Sequence, residues 1–235
     1  MATQAPVKPL PDWEAGPVRY SWSKRLKLFA GLIGPWVLLG ALVSLPGGFD
    51  LAALAIAVSI FVIVNAILWG SVERRMLAYV SAEPLDDPRF TNIVHGLADR
   101  HGVPMPKLRV TEKVGPNAFV LRRGPSIVVS RSLLDTFTRT EQEAVAAHSL
   151  VRLNSGHLFF AYLAAMLGRL GSRFAPKVGF EDDIHAAALT RYPPALASAI
   201  GKAKPVEDSS GVLWFVAHGP SHRPPTERIA ALHDL

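Results

Sequence analysis

The sequence predicts an α+β membrane protein, in which an N-terminal two-helix transmembrane hairpin precedes a mostly helical domain with a small β-sheet. Three observations lead to this prediction. Hydrophobic residues make up 49% of the chain, and a mean hydropathy of +0.24 is high for a soluble domain. Two long uncharged runs lie near the N-terminus, and amphipathic and strand-like segments follow them. We therefore divide the chain into a cytoplasmic tail (1–27), a hairpin (28–70) and a main domain (71–235).

Two apolar runs form the predicted hairpin. Residues 28–45 carry no charge and have about the length that a helix needs to cross a bilayer core of roughly 30 Å. Residues 51–70 have only Ser59 and Asn65 as polar interruptions, and the turn at 46–50 is short enough to be a hairpin tip. We expect a retained anchor and not a cleaved signal peptide, because about 27 residues precede the first run.

Positive charge predicts the orientation of this hairpin. Lysine and arginine flank the outer ends of both runs and are absent from the tip. The flanking residues are Lys24, Arg25, Lys27, Arg74 and Arg75. The positive-inside rule therefore predicts a multi-pass protein of the plasma membrane with its main domain in the cytoplasm.

Composition narrows the possible chemistry. The chain has no cysteine, which excludes disulfides, thiolate metal ligands and thiol nucleophiles. Its net charge of +6 comes from scattered basic residues, several of which flank the apolar runs. Anionic lipid headgroups explain that distribution better than nucleic acid does, so we expect membrane lipid and no nucleic acid among its partners.

The main domain begins with alternating helical and strand-like segments. The second apolar helix continues to about Val80, and an amphipathic helix with Phe90, Ile93 and Leu97 on one face ends near Gly102. Short apolar runs then predict a small sheet. These runs are residues 107–111, 117–120 and 126–130.

Helices follow the predicted strands. Ser130 or Ser132 opens a short helix, and Thr138 caps the next one, which we expect to continue to His157. Residues 158–170 are shorter than the roughly 20 that a membrane span requires, so we expect a buried or interfacial helix there. Residues 202–211 have the composition of a linker.

Residues 143–157, EAVAAHSLVRLNSGH, have the frame of a zinc-protease helix without most of its chemistry. The His-Glu-x-x-His motif needs two histidines at i and i+4, on one helix face, and a glutamate that activates the zinc-bound water. After His148, the glutamate's place is taken by Ser149, whose neutral hydroxyl is no base near pH 7. Arg152 takes the second ligand's place, and its protonated guanidinium has no lone pair for a metal.

The chain nonetheless resembles the HtpX-like membrane zinc metallopeptidases, relatives of the CAAX prenyl proteases. Matching segments occur in the family's order and cover most of residues 28–235. They are residues 97–107, 116–119, 127–134, 141–157, 180–190, 194–202 and 222–229. The resemblance implies a metallopeptidase-like domain in a membrane setting.

The same resemblance assigns further positions. The family's third metal ligand is a glutamate four residues before an aspartate, and aligning that aspartate with Asp183 places Gly179 at the ligand position. An acidic residue of the family is replaced by His157. Only His148 remains of the two histidines, the base and the glutamate ligand, so we expect no zinc, no other cofactor and no proteolysis.

Four more positions follow from the family pattern. Asn117 and Phe119 lie on the family's strand near the substrate groove, where they either offer an edge to an extended peptide or only pack the sheet. His222 and Arg228 match its C-terminal motif, in which the arginine braces the site. We expect a structural brace in this chain.

A rebuilt metal site is the sharpest alternative. Its candidate ligands are His148, His157, Asp182, Asp183, His185, His218 and His222. On one helix, however, the nine-residue spacing of His148 and His157 would place them on opposite faces. We expect instead that Arg152 forms an ion pair with Glu181 or Asp183 where the family has its metal.

These residues leave three hypotheses about function. The first is a pseudopeptidase that acts by binding another integral membrane protein or membrane complex, as an accessory or scaffold subunit or a quality-control adaptor. The second is a divergent metalloendopeptidase whose zinc site is rebuilt or completed by a partner chain. The third is a lipid-binding or purely structural membrane anchor.

Overall fold

The computed structural model describes residues 51–122, 124–155, 157–166, 179–207, 213–219 and 222–235. Five single helical positions before residue 51 are also described, namely Leu26, Ala30, Ile33, Gly34 and Leu38. The rest of the predicted tail, of the first apolar run and of the hairpin tip lies outside the described residues.

Helices dominate the described part of the chain, and four short strands lie near its beginning. In chain order the elements are α1 (Leu51–Val80), β1 (Glu83–Pro84), α2 (Pro88–Arg100), β2 (Lys107–Thr111), β3 (Ala118–Leu121), β4 (Ser126–Ser130), α3 (Arg131–Thr136), α4 (Arg139–Asn154), α5 (His157–Met166), α6 (Phe180–Thr190), α7 (Pro193–Lys202) and α8 (Pro225–His233).

Helix α1 has two different ends. Its first part exposes large apolar side chains, including Ile56, Ile63 and Ile67, whereas Met76 and Val80 are buried in the core. The helix continues to Val80, as predicted. Judged by length and hydropathy together, no helix among the described residues qualifies as a membrane span. The transmembrane hairpin over residues 28–70 stays a prediction.

The sheet has the strand order β1-β2-β4-β3. Strands β2 and β4 are parallel and have the predicted bounds, and β3 runs antiparallel to β4, one residue later than predicted. Strand β1 pairs antiparallel with β2 and was not predicted. It was missed because Pro84 was interpreted only as a helix break, although proline is also found on edge strands such as β1.

Side-chain caps fix where the helices begin. Asp87 accepts hydrogen bonds from two backbone N–H groups at the start of α2, and Ser130 caps α3. Thr138 and Glu141 form a reciprocal capping box at the start of α4, as the sequence predicts.

Helix α4 lies at the centre of the domain. It packs against α2, α6 and α7, and every residue from Ala144 to Arg152 is buried. The helix ends at Asn154, so the prediction that it continues to His157 is wrong. Ser155 adopts an extended backbone, and the sequence Asn-Ser-Gly favours a turn over a helix.

Helix α5 begins at His157. Leu158, Ala161 and Tyr162 are buried, as expected for a packed helix, and residues 167–170 lie outside the described residues.

The interpretation of residues 202–211 as a linker is wrong for their first part. Lys202 belongs to α7, the Lys204 N–H donates to the Pro116 carbonyl at 2.8 Å, and Val206 forms a β-bridge with Ala217. Residues 204 and 206 are therefore hydrogen-bonded to the segments next to β3, and residues 208–211 lie outside the described residues.

Candidate functional site

His148 lies in the middle of α4 with its side chain 1% exposed. Its Nε2 is 3.5 Å from Asp183 Oδ1, and it has no hydrogen-bond partner among the described residues. Its ring meets Phe215 edge to face, with centroids 4.9 Å apart. Burial first, and then the positive charges of Arg228 and Arg152, hold the pKa of His148 well below its ordinary value. The imidazole is therefore neutral at pH 7.

Arg228 makes a bidentate ion pair with Asp183. Its Nε and Nη2 atoms donate to the two carboxylate oxygens, each at 2.7 Å, and its Nη1 donates to the Phe215 carbonyl at 2.8 Å. Both charged side chains are at most 1% exposed. The arginine thus ties α8 to α6 and to the segment before α8, as a structural brace would.

Arg152 forms the second buried ion pair, with Asp182. Its Nη1 lies 3.3 Å from Asp182 Oδ2, and both side chains are 5% exposed. The expected partners, Glu181 or Asp183, are therefore wrong. Glu181 is exposed to solvent, and Arg228 already takes both oxygens of Asp183.

Ser149 and Gly179 are also poor substitutes for a base and a ligand. The Ser149 hydroxyl donates to the Val145 carbonyl of its own helix at 2.8 Å. Gly179 precedes α6 with φ of +149°, and a Cβ there would meet the Arg223 side chain at 3.2 Å. L-amino acids rarely adopt that backbone conformation. This loop therefore suits glycine and could not present a glutamate without changing its path.

The residues at this position do not fit a zinc ion. Zinc needs several converging nitrogen, oxygen or sulfur donors, and no group of three such side chains converges among the residues that the structure describes. The orphaned Nε2 of His148 is one donor, but Arg152 stands in place of the second and Asp183 is bound by Arg228. Two buried guanidinium groups instead balance two buried carboxylates.

The other predicted positions divide into two groups. His222 is buried and close enough to His148 to depress its pKa further. His185 is half-buried and His218 is exposed, and neither joins a metal-binding group in the described part of the chain.

Asn117 and Phe119 lie at the edge of the sheet, under another part of the chain. The Asn117 Nδ2 donates to the carbonyls of Lys204 (2.8 Å) and Val216 (2.7 Å), and its Oδ1 accepts from the Val216 N–H at 3.2 Å. The Phe119 ring lies 4.6 Å from that of Trp214. Both residues are 1% exposed, so the position that the family uses as a groove is covered.

Sequence reasoning missed the residues that cover this edge. Residues 213–217, LWFVA, follow a polar stretch and are a short run of apolar, mostly β-favouring side chains. That composition is typical of a buried strand and was the available signal. The role of Asp182 had no such signal. Glu181, Asp182 and Asp183 all lie in the first turn of α6, and the sequence does not indicate which of these three carboxylates faces Arg152.

Comparison with known proteins gives several relatives described as HtpX homologs. No protein-family model matches the chain. It is 26% identical over 174 residues to a Protease HtpX homolog of Burkholderia ambifaria, covering 70% of this chain and 59% of that protein. A Protease HtpX homolog of Pyrococcus abyssi is 30% identical over 152 residues, which cover 62% of this chain and 51% of the relative. The chain thus spans between half and three fifths of these curated relatives.

A solved structure has a similar fold. The crystal structure of Ste24p from S. mikatae matches 89% of this chain and 64% of its own, with a TM-score of 0.50 and 18% sequence identity. The mostly helical architecture with a small mixed sheet is therefore shared with that protein.

Proposed function

We propose that this chain, which belongs to the HtpX-like family of membrane metallopeptidases, is a pseudopeptidase that acts by binding. The observation that carries the proposal is Arg152, which stands at the second ligand position of the family's motif and is buried against Asp182 at 3.3 Å. A guanidinium stays protonated and offers no lone pair. A metal ion in its place would meet a fixed positive charge.

The surrounding charges support the same reading. Releasing Asp183 for a metal would leave Arg228 buried without its bidentate partner, which is strongly unfavourable. Releasing Asp182 for a metal would likewise break its buried ion pair with Arg152. The two ion pairs thus link α4 to α6 and α6 to α8 at the position where the family binds its metal. Their role in this chain is structural and not catalytic.

The proposed partner is another integral membrane protein or membrane complex. The chain serves it as an accessory or scaffold subunit, or as a quality-control adaptor. The exposed isoleucines of α1 offer an apolar surface for a neighbouring helix or for lipid, and they support a location in the plasma membrane.

Zinc analysis of purified protein tests the proposal. We expect full-length protein from native membranes, in mild detergent, to contain far less than one zinc per chain and to cleave no unfolded protein substrate. His148→Ala should leave the zinc content unchanged. His95→Ala is the matched control, because His95 is a surface histidine with its side chain 62% exposed.

One result would contradict the proposal. Stoichiometric zinc that is lost in His148→Ala and kept in His95→Ala would indicate a working metal site, and a divergent metalloendopeptidase would then be the better description. Zinc that appears only in a co-purified complex would indicate a site completed by the partner chain. Mass spectrometry of proteins that co-purify from the same membranes identifies the partner.

A further inference from the structure

The free edge of β3 is occupied by the chain itself. Strand β3 is the last strand in the sheet, so only one of its edges pairs with β4. Residues 213–217, here called the edge segment, contact the other edge at Ala118 and Phe119. The Phe215 N–H donates to the Ala118 carbonyl at 2.7 Å, and Trp214 faces Phe119 in an antiparallel bridge. This bridge and this hydrogen bond are of the kind that an added peptide strand makes with a sheet edge.

An amide side chain holds the backbone of the edge segment. Asn117 donates to the carbonyl of Val216 at 2.7 Å and accepts from the N–H of the same residue at 3.2 Å. Because an amide side chain both donates and accepts, it can hold the two backbone groups of one residue whatever the side chain of that residue is. The site therefore has a binding element for peptide backbone, and the edge segment fills it.

Two side chains of the edge segment contact the sheet and α4: Trp214 faces Phe119, and Phe215 faces His148. Trp214 is fully buried and Phe215 is 2% exposed. The Phe215 ring contacts His148, with 4.9 Å between centroids, and lies 5.4 Å from the guanidinium of Arg228. The segment thus reaches the position of the vestigial site and covers it.

We propose that the edge segment is a built-in peptide ligand of β3. The β3 edge takes a strand from another protein only when that strand replaces the edge segment, and it then selects an extended peptide with adjacent aromatic residues. This inference goes beyond the proposed function and does not depend on it. An occupied edge holds back a peptide whether or not the neighbouring helix is catalytic.

Competition by a synthetic peptide tests the inference. The probe is a fluorescently labelled peptide with the sequence of residues 213–219, LWFVAHG, added to full-length protein in detergent and followed by anisotropy. We expect Trp214→Ala to bind it at least about tenfold more tightly than the unsubstituted chain. The reason is that the lost ring no longer anchors the edge segment against Phe119.

Two control variants test whether the gain in peptide binding is specific to the β3 edge. Phe90→Ala removes a large, fully buried ring from α2 instead, and it should bind the peptide no better than the unsubstituted chain. Adding Asn117→Ala to Trp214→Ala should abolish the gained binding, because that amide holds the peptide backbone.

The inference is overturned if folded Trp214→Ala gains no binding, or if Phe90→Ala gains as much. Folding is checked by helical circular dichroism. Should Trp214→Ala lose its helical signal, Trp214→Leu replaces it under the same two criteria. None of these results bears on zinc content, so a failure here is distinguishable from a failure of the proposed function.

Discussion

At the residue scale, four buried charges decide what the centre of the domain can do. The bidentate geometry of Arg228 on Asp183 is the strong form of a charge-assisted hydrogen bond. A pair of this kind need not add stability over a well-packed apolar pair, but removing one partner leaves a charge buried alone. The network is therefore sensitive to single substitutions and tolerant of matched ones.

This asymmetry can be measured. We expect Asp183→Ala to lower the free energy of unfolding by about 3–5 kcal/mol, because it strands the Arg228 guanidinium. The double variant Asp183→Leu/Arg228→Met should recover most of that loss. Denaturant titration in detergent provides the free energies.

Glu227→Ala is the control for that experiment. Its ion pair with Arg223 is 3.9 Å long and exposed to solvent, so the expected loss is at most about 1 kcal/mol. Equal losses in Asp183→Ala and Glu227→Ala would contradict the interpretation of the buried network.

The lowered pKa of His148 predicts how the free energy of unfolding depends on pH. Its folded-state pKa is depressed by burial and then by the neighbouring arginines, while the unfolded chain has the ordinary value of 6.5. Below that value the unfolded chain binds a proton that the folded chain does not, so stability falls as the pH falls. The slope from this group approaches about 1.4 kcal/mol per pH unit.

Unfolding titrations between about pH 6.5 and 5 measure this slope. We expect His148→Gln to be less pH-dependent in this window than the unsubstituted chain. His95→Gln, at an exposed position, should keep the original slope. Parallel curves for the chain and His148→Gln would argue against a neutral buried imidazole.

At the element scale, the start of α6 determines which side chains reach the centre. Gly179 turns the chain into α6, and Asp182 and Asp183 then follow within the first turn, where they face α4 and α8. Arg223 crosses this turn and stacks on Phe180, with its guanidinium 4.2 Å from the ring centroid. The conformation at Gly179 therefore positions both carboxylates.

Alanine at this position tests that role. Gly179→Ala should destabilise the chain by roughly 1–3 kcal/mol, because φ is +149° and the new Cβ would meet Arg223 at 3.2 Å. Gly96→Ala is the matched control. Gly96 lies inside α2 with open space around it, so alanine should be neutral or stabilise by up to about 1 kcal/mol. Thermal or denaturant unfolding compares the two variants, and a smaller loss at Gly179 than at Gly96 would contradict the argument.

At the scale of the whole molecule, α1 joins two environments. Its exposed isoleucines suit lipid or a partner helix, and its buried C-terminal end is part of the domain core. An element of this kind holds the domain close to whatever surface the first part contacts.

Protease accessibility tests the predicted orientation. In intact cells or right-side-out vesicles, we expect residues 107–235 to be protected from added protease and to become accessible once the membrane is opened. The physical reason is the lysine and arginine that flank both apolar runs. Cleavage within this range in sealed vesicles would indicate the opposite orientation. Full extraction of the protein at alkaline pH would argue against membrane insertion.

The sequence predicted the parts of the fold that follow local rules. Alternating and helical patterns predicted β2, β4 and α2, and the capping box of Thr138 marks the start of α4. These signals are local because they depend on the pleat, the helical period and the first helical turn. The end of α4 was missed, since a family alignment continues through His157 although Asn154 and Ser155 end the helix.

For the candidate site, the sequence predicted which of the family's catalytic and metal-binding residues are missing, but not the contacts of the residues that replace them. Ser149, Arg152 and Gly179 were identified from spacing and alignment, but the partner of Arg152 depends on how α6 packs on α4. The cover over Asn117 likewise depends on a contact with Val216. Contacts of that range leave no periodic trace in a single sequence.

The edge segment also has a consequence for biosynthesis. The hydrogen bonds between Asn117 and Val216 join residues 99 positions apart, so the ribosome makes β3 long before the edge segment that covers it. At a synthesis rate of about 5–20 residues per second, the edge stays open for roughly 5 to 20 seconds. During that interval an unpaired apolar strand is exposed to other nascent chains and to chaperones. Synthesis of residues 213–217 thus ends the period in which this edge of β3 is open.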